Sequence, residues 1–296
     1  MSYIEVVDPT RLRDSLQCLR LFYWRHERGV VPAAPRLPLA YGSGVHASLA
    51  ANYEGKSAGQ CLKAFEEVWE REVLPYQTEW MEEDRKRNPV RWAESFMLYR
   101  RFYASVDQHF TVKNVEAPFF LPISDKVALG GIIDLLVTYL NQLMVVDHKT
   151  TSVTWPSFFA GFNPNHQFSV YLLGASEILQ QPVTTALINC IVTHATEQRP
   201  EKLFIRQPTT RTPAQHLMLK DEILGWWSIV QACRSSNNWP RNDDRCQRWQ
   251  GGCDYHNLCT DITTDYRRII PSKQLFRESV WDPIAALRKA GFKETI

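Results

Sequence analysis

From Val127 to Thr151 the chain reads VALGGIIDLLVTYLNQLMVVDHKTT, two apolar runs rich in Val, Ile, Leu and Tyr around a short polar break. The pattern predicts two β-strands joined by a turn near Asn141-Gln142. With those two residues as the loop, or at the centre of a loop of four, residue 134 lies opposite 149 and 136 opposite 147. Asp134, Asp147 and Lys149 then project from one face. A charge pair on a solvated strand edge is the bland reading of D-x-K. The surroundings argue against it. Ile132, Ile133, Leu135, Leu136 and Val137 flank the first Asp, and Met144, Val145 and Val146 precede the second, as in a strand buried on both faces. A carboxylate in such a strand needs a compensating cation or metal.

Elsewhere the apolar period is mostly helical. Leu12, Leu16, Leu19 and Phe22 predict a helix over 8–28 that carries Cys18 and the run Phe22-Tyr23-Trp24-Arg25-His26. A Pro- and Ala-rich loop, 31–38, leads to YGSGVHASLAANYE, where Gly42 and Gly44 permit close backbone approach before a helix bearing His46. Taken alone, His46 is a packed or surface imidazole more often than a ligand, yet His is also a frequent metal ligand. Leu62, Phe65, Val68 and Trp69 predict a helix over 58–74, and Trp92, Phe96, Tyr99, Phe102 and Tyr103 one over 91–110. The charged run between them, EEDRKRNPVR, reads as a solvated loop. Its basic half and Arg100-Arg101 are candidates for phosphate contact.

A strand near Val115–Leu121 starts the sheet. Asn163 as N-cap with Pro164 at the first helical position predicts a helix that places Gln167 and Tyr171 on one face. Residues 183–194 and the segment LFIRQ read as strands, followed by a basic loop, TTRT. A capping box from Thr212 to Gln215 opens a helix that includes Leu217, Ile223, Leu224, Trp227 and Val230. The core order is helix, three strands, helix, strand.

Composition narrows the class. The 296 residues are 44% hydrophobic, ample for a substantial core. A net charge of +2 restricts any nucleic-acid surface to a local patch. The polar N-terminus lacks the apolar run of a signal peptide, and no stretch reaches membrane-spanning length. A soluble, cytoplasmic protein with no membrane partner is expected, where thiols stay reduced. Three of the seven cysteines, Cys246, Cys253 and Cys259, lie close together in a polar segment with metal-type spacing. His256 could complete a Cys3His zinc site, or the remote Cys18 a four-thiolate site for an iron–sulfur cluster. Cys61, Cys190 and Cys233 lie on apolar segments and read as packing residues.

Five features occur in order: Cys18 ahead of three late cysteines, G-S-G-V-H ending at His46, G-G-I-I-D ending at Asp134, D-H-K at 147–149, and Q-F-S-V-Y from Gln167 to Tyr171. Together they resemble the PD-(D/E)XK nuclease superfamily, closest to the RecB-like branch with an iron–sulfur cluster. That branch includes CRISPR-associated adaptation nucleases and AddB-type helicase–nuclease subunits. The likeness covers roughly residues 10–50 and 114–260, with Asp147 where many relatives carry Glu.

The resemblance implies an α/β fold: a restriction-endonuclease-like core with a mixed central sheet flanked by helices. It implies one domain over 1–296, with N-terminal helices at 10–50, a helical insertion at 51–113, a catalytic core at 114–235, a cysteine segment at 236–262 and a tail at 263–296. His46, Asp134, Asp147 and the His148 carbonyl would hold Mg²⁺ or Mn²⁺. Lys149 would orient water or stabilise the phosphate, Gln167 and Tyr171 would line the site, and Glu116 would accept a bond behind it. Cys18, Cys246, Cys253 and Cys259 would hold a 4Fe-4S cluster, with zinc as the alternative, stapling the first helix to the last loop. The implied activity is a DNA nuclease, an exonuclease on single strands or ends, with a helicase or CRISPR adaptation protein as partner. The alternative is an inactive DNA-binding or scaffold subunit of a recombination or CRISPR-type complex. Tyr23, Trp24, Trp249 and Tyr255 are candidates to stack unpaired bases or to pack around the cysteines.

Overall fold

The computed structural model describes residues 4–76, 84–152, 156–246, 252–260, 264–279 and 281–293. Its centre is a mixed sheet of six strands: β1 (Glu5–Val7), β3 (Phe110–Pro122), β4 (Val127–Tyr139), β5 (Gln142–Thr151), β6 (Thr185–Val192) and β7 (Phe204–Thr210). The order is β1-β4-β5-β6-β7, with β3 also paired to β4. β1 runs parallel to β4 and β5 parallel to β6; the other neighbours are antiparallel. A separate two-stranded sheet joins β2 (Val30–Pro32) to β8 (Phe276–Glu278). Helices cover both faces of the central sheet. Ala186 and Ile188 of β6 enter one core with Phe168 and Trp227, while Ile191 enters another with Tyr41, Phe65 and Trp92. This is the expected mixed sheet flanked by helices. Among the described residues no helix is long and apolar enough to cross a membrane.

The β4–β5 hairpin forms, but its turn lies one residue earlier than expected. Leu140 and Asn141 both have positive φ, +47° and +66°. Two such residues match the twist of a tight hairpin. Tyr139 therefore pairs with Gln142 and Leu135 with Val146. Continued, this register sets Asp134 opposite Asp147, not opposite Lys149. The shift is two residues, so the parity of the faces survives.

Other boundaries moved for local reasons. The helix expected over 8–28 breaks at Cys18, whose backbone is extended, into Pro9–Gln17, Leu19–Phe22 and a π-turn at Tyr23–Glu27. The loop expected over 31–38 contains part of β2, and the His46 helix starts earlier, spanning Leu37–Tyr53. Asn165, not Asn163, caps the Gln167 helix, His166–Leu179, because its side chain accepts from the Phe168 N–H. The capping box at Thr212 is present, opening the helix Pro213–Ser236. The basic loop TTRT starts inside β7, and its Arg211 is buried, bonded to Ser169, Thr209 and the Phe162 carbonyl. Arg87 and Arg91 of the charged run pair with Asp84 and Glu94. Two glycines set close contacts. A Cβ on Gly44 would lie 2.7 Å from the Phe65 ring, and one on Gly174 2.5 Å from Phe119. Both helices near the site thus seat tightly on their neighbours.

Candidate active site

The β4–β5 ladder ends at Leu135–Val146. From there β5 continues beside β6, while β1 takes up the same edge of β4 at Val127–Leu129. The result is a fork, and both acids lie at its base. β4 is irregular there. Val127, Leu129, Ile133 and Leu136 feed one core, while Leu135 and Val137 feed another. The alternation therefore slips a step at Asp134. Glu116 of β3, in register with Asp134, has φ +47°. A non-glycine residue there costs about 1–3 kcal/mol and persists only where its surroundings enforce it.

Asp134 and Asp147 are both buried. The Asp134 Oδ2 accepts the His148 backbone N–H at 2.8 Å, a donor left over where the ladder ends, and lies 3.3 Å from His46 Nδ1. Asp147 Oδ1 accepts from Gln167 Nε2 at 3.1 Å. Its Oδ2 lies 2.5 Å from Lys149 Nζ but makes no hydrogen bond of ordinary geometry. Asp147 and Lys149 face the Gln167 helix, and the ammonium lies 5.7 Å from the Phe168 ring centroid. Glu116, Asp134 and Asp147 thus form one row across adjacent strands, with His46 of a facing helix beside Asp134 and Lys149, two residues along β5, beside Asp147.

The electrostatics follow from that crowding. Burial, then the charge of Asp134, pushes Glu116 up to about 7. Burial also raises Asp147; Asp134 adds to this and Lys149 opposes it. Asp134 goes the other way: burial would raise it, but the charge and hydrogen bond of His46 outweigh that and hold it low. Burial would lower His46, yet Asp134 lifts it to about 9. Tyr171 is pushed well above the usual phenol value by burial and both acids, so its hydroxyl stays protonated.

Behind the fork lies a polar network that sequence reasoning missed. The His148 ring is buried, 5.8 Å from a nearly parallel Tyr53 ring, and burial pushes it down to about 3. Asn189 Nδ2 lies 2.8 Å from His148 Nδ1 and donates to Tyr99 Oη. Arg206 Nε donates to Asn189 Oδ1, and its terminal nitrogens bind Asp107, Tyr53 and Tyr99. The helices Leu37–Tyr53 and Pro89–Asp107 are thereby bolted to β6 and β7 directly behind the residue whose amide holds Asp134. An Asn inside the apolar run of β6 and an Arg inside LFIRQ were the available signals.

The cysteines divide as expected in part. Cys61, Cys190 and Cys233 are buried among packing residues. Cys18, Cys246 and Cys253 line one groove. The Asn242 N–H donates to Cys18 Sγ at 3.3 Å, and the Cys253 N–H to the Cys246 carbonyl. Burial raises the Cys259 thiol to about 11, against the opposing charge of Arg20. Tyr23, Trp24 and Tyr255 are buried in the core, Tyr255 stacked on Phe276, so they cannot stack bases. Trp249 lies outside the described residues.

Among the described residues no three His, Cys, Asp or Glu side chains form a ready-made ion cage. The donor chemistry nonetheless suits a hard cation at the fork: two buried carboxylates, and an imidazole that becomes a ligand when an arriving cation displaces its proton. The four thiols suit a soft metal or cluster.

The sequence profile of the PD-(D/E)XK nuclease superfamily matches residues 7–260. Among solved structures, one from Eubacterium rectale described as a "putative exonuclease" is similar over 87% of this chain and 94% of its own, with TM-score 0.53 and 10% identity. At that identity the likeness concerns the fold alone. A second, SSO0001, covers 76% of this chain and 77% of its own at 12% identity, with a TM-score of 0.33, too low to argue from. No curated protein matches.

Proposed function

Because the chain belongs to the PD-(D/E)XK nuclease superfamily, we propose that it hydrolyses phosphodiester bonds in DNA, on single strands or at ends, using Mg²⁺ or Mn²⁺ at the β4–β5 fork. What carries the reading is the burial of two carboxylates, Asp134 and Asp147, on neighbouring strands of an apolar sheet, with the Lys149 ammonium 2.5 Å from Asp147 and His46 3.3 Å from Asp134. His46, Asp134, Asp147 and the His148 carbonyl are the proposed holders. A bound divalent ion supplies a water of lowered pKa and offsets charge on the phosphate. The chain's own residues do the rest. Gln167 holds Asp147 Oδ1 and so turns Oδ2 toward the fork. The His148 amide fixes the Asp134 rotamer. Lys149 presents a compact positive charge where charge grows on the phosphate. Tyr171, protonated, is a donor for the substrate strand.

We further propose that Cys18, Cys246, Cys253 and Cys259 hold a 4Fe-4S cluster. Cys18 favours four thiolates over a site with His256, since the Asn242 N–H bonds the Cys18 sulfur while the Cys246 sulfur lies 3.9 Å from the carbonyl of the same Asn242. The cluster would reinforce a junction already bonded, in which Arg20 donates to the Trp239 carbonyl and Asn242 to the Gln17 carbonyl.

The test of the nuclease reading is digestion of end-labelled single- and double-stranded DNA in Mn²⁺ by anaerobically purified protein. The intact chain should cleave, and Asp134→Asn should be slower by about 10²-fold or more. Equal cleavage by both, or none by either, would remove the enzyme reading and leave a DNA-binding or scaffold subunit.

A further inference from the structure

The tail beyond Cys259 carries no motif, yet it builds one wall of the cleft that opens from the fork. This cleft, of ≈ 510 Å³, is lined by Lys149, Gln167 and Tyr171 on one side and by Trp281, Pro283 and Leu287 on another. The helix Pro283–Lys289 is capped by Asp282. Its buried Leu287 seats against β4, where a Cβ on Gly130 would lie 3.3 Å from it. That contact sets Trp281, just ahead of the helix, at the cleft.

Trp281 is held there and left bare. Its indole Nε1 donates to Asp8 Oδ2 at 2.7 Å. The other oxygen of the same carboxylate caps the helix Pro9–Gln17 through the Thr10 and Arg11 N–H groups. Asp8 is itself buried, so the anchor is firm. Even so, Trp281 is 54% exposed. An indole fixed by its N–H with an open ring is a prepared stacking platform, and every base offers a π-face to it. Arg13 and Arg245 line the same cleft. Arg245 makes no ion pair among the described residues, and Arg13 is exposed beyond its contact with Asp14.

We propose that this cleft is a subsite for an unpaired DNA strand, in which a base stacks on Trp281 while Arg13 and Arg245 take the flanking phosphates. Bases inside a duplex are already stacked on one another and present no free face, so the subsite selects single strands and frayed ends. It rests on the nuclease reading of the fork and adds to it a strand-binding residue outside the acids.

Binding is measured by fluorescence anisotropy with labelled oligothymidylate and with a strand of the same length made of abasic residues, in Ca²⁺ to prevent cleavage. Trp281→Ala should weaken oligothymidylate binding on the order of tenfold, the loss of one base–aromatic stack. It should leave the abasic strand unaffected, which also shows that the variant is folded. Trp281→Phe, which keeps a ring but not the N–H, should recover most of the loss. Unchanged oligothymidylate binding by Trp281→Ala, or equal weakening for both strands, would overturn the subsite. Cleavage is scored in parallel. A protein that cleaves but ignores Trp281 refutes the subsite alone. One that shows the base-dependent effect of Trp281 but never cleaves supports the subsite and refutes the nuclease reading.

Discussion

Replacing Arg206 by Met keeps the length of the side chain and removes the centre of the network behind the fork. The guanidinium is 8% exposed and its partner Asp107 20%. It also bonds Tyr53, Tyr99 and Asn189, and lies over the Tyr103 ring at 3.6 Å. Removing one partner of a buried ion pair costs about 3–5 kcal/mol, because the other charge is left stranded. Asp107 keeps some water, so the lower end, about 3 kcal/mol, is expected. For a chain of this size that corresponds to a fall in Tm of roughly 6 °C, at ~2 °C per kcal/mol. Urea unfolding followed by tryptophan fluorescence reads the change as a lower midpoint at unchanged slope. Adding Asp107→Leu removes the stranded charge and should restore a good part of the loss. A single variant within about 0.5 kcal/mol of the parent, or a double variant no more stable than the single, would refute the reasoning.

Lys149→Met should lower cleavage in Mn²⁺ by about 10²-fold with little change in KM, since the ammonium acts on charge that grows in the transition state; a loss under about tenfold counts against it. Asp14 is buried and accepts from Arg25 at 2.8 Å and sits 3.0 Å from His26. Burial would raise this carboxyl, but His26, Arg25 and Arg13 outweigh that and hold it low. Its contribution is therefore complete above the unfolded value of about 3.9 and lost as pH falls through the folded one. Asp14→Asn should unfold earlier in urea than the parent at about pH 7, with the gap shrinking steadily as pH falls below the unfolded value of about 3.9; a gap that does not shrink in acid would refute the assignment. Anaerobically purified protein should show a visible iron–sulfur charge-transfer band that disappears in Cys246→Ala, whereas a colourless preparation containing zinc would refute the cluster.

The acids and their neighbours were legible because their signals are local. A two-residue period exposes an Asp inside an apolar strand, and a four-residue spacing puts Gln167 beside Tyr171. The hairpin register was missed by two because Leu140-Asn141 contains no Gly, the usual sign of a positive-φ turn. Asn165 displaced Asn163 as cap because both types suit the role and only the fold chooses. Arg206, Asn189 and Arg211 were unreadable for a deeper reason: a buried polar residue is identified by its partners, and those of Arg206 lie up to 153 positions away. Trp281 was hidden in the same way. Its meaning depends on Asp8, 273 positions earlier.

The Asp8–Trp281 contact also orders events during synthesis. Both acids of the fork leave the ribosome long before Trp281 and before Cys253 and Cys259. A growing chain thus carries the acids of the fork with one wall of the cleft still unbuilt. That wall waits on the helix Pro283–Lys289, among the last residues made, so the cleft takes its shape only when synthesis is nearly over.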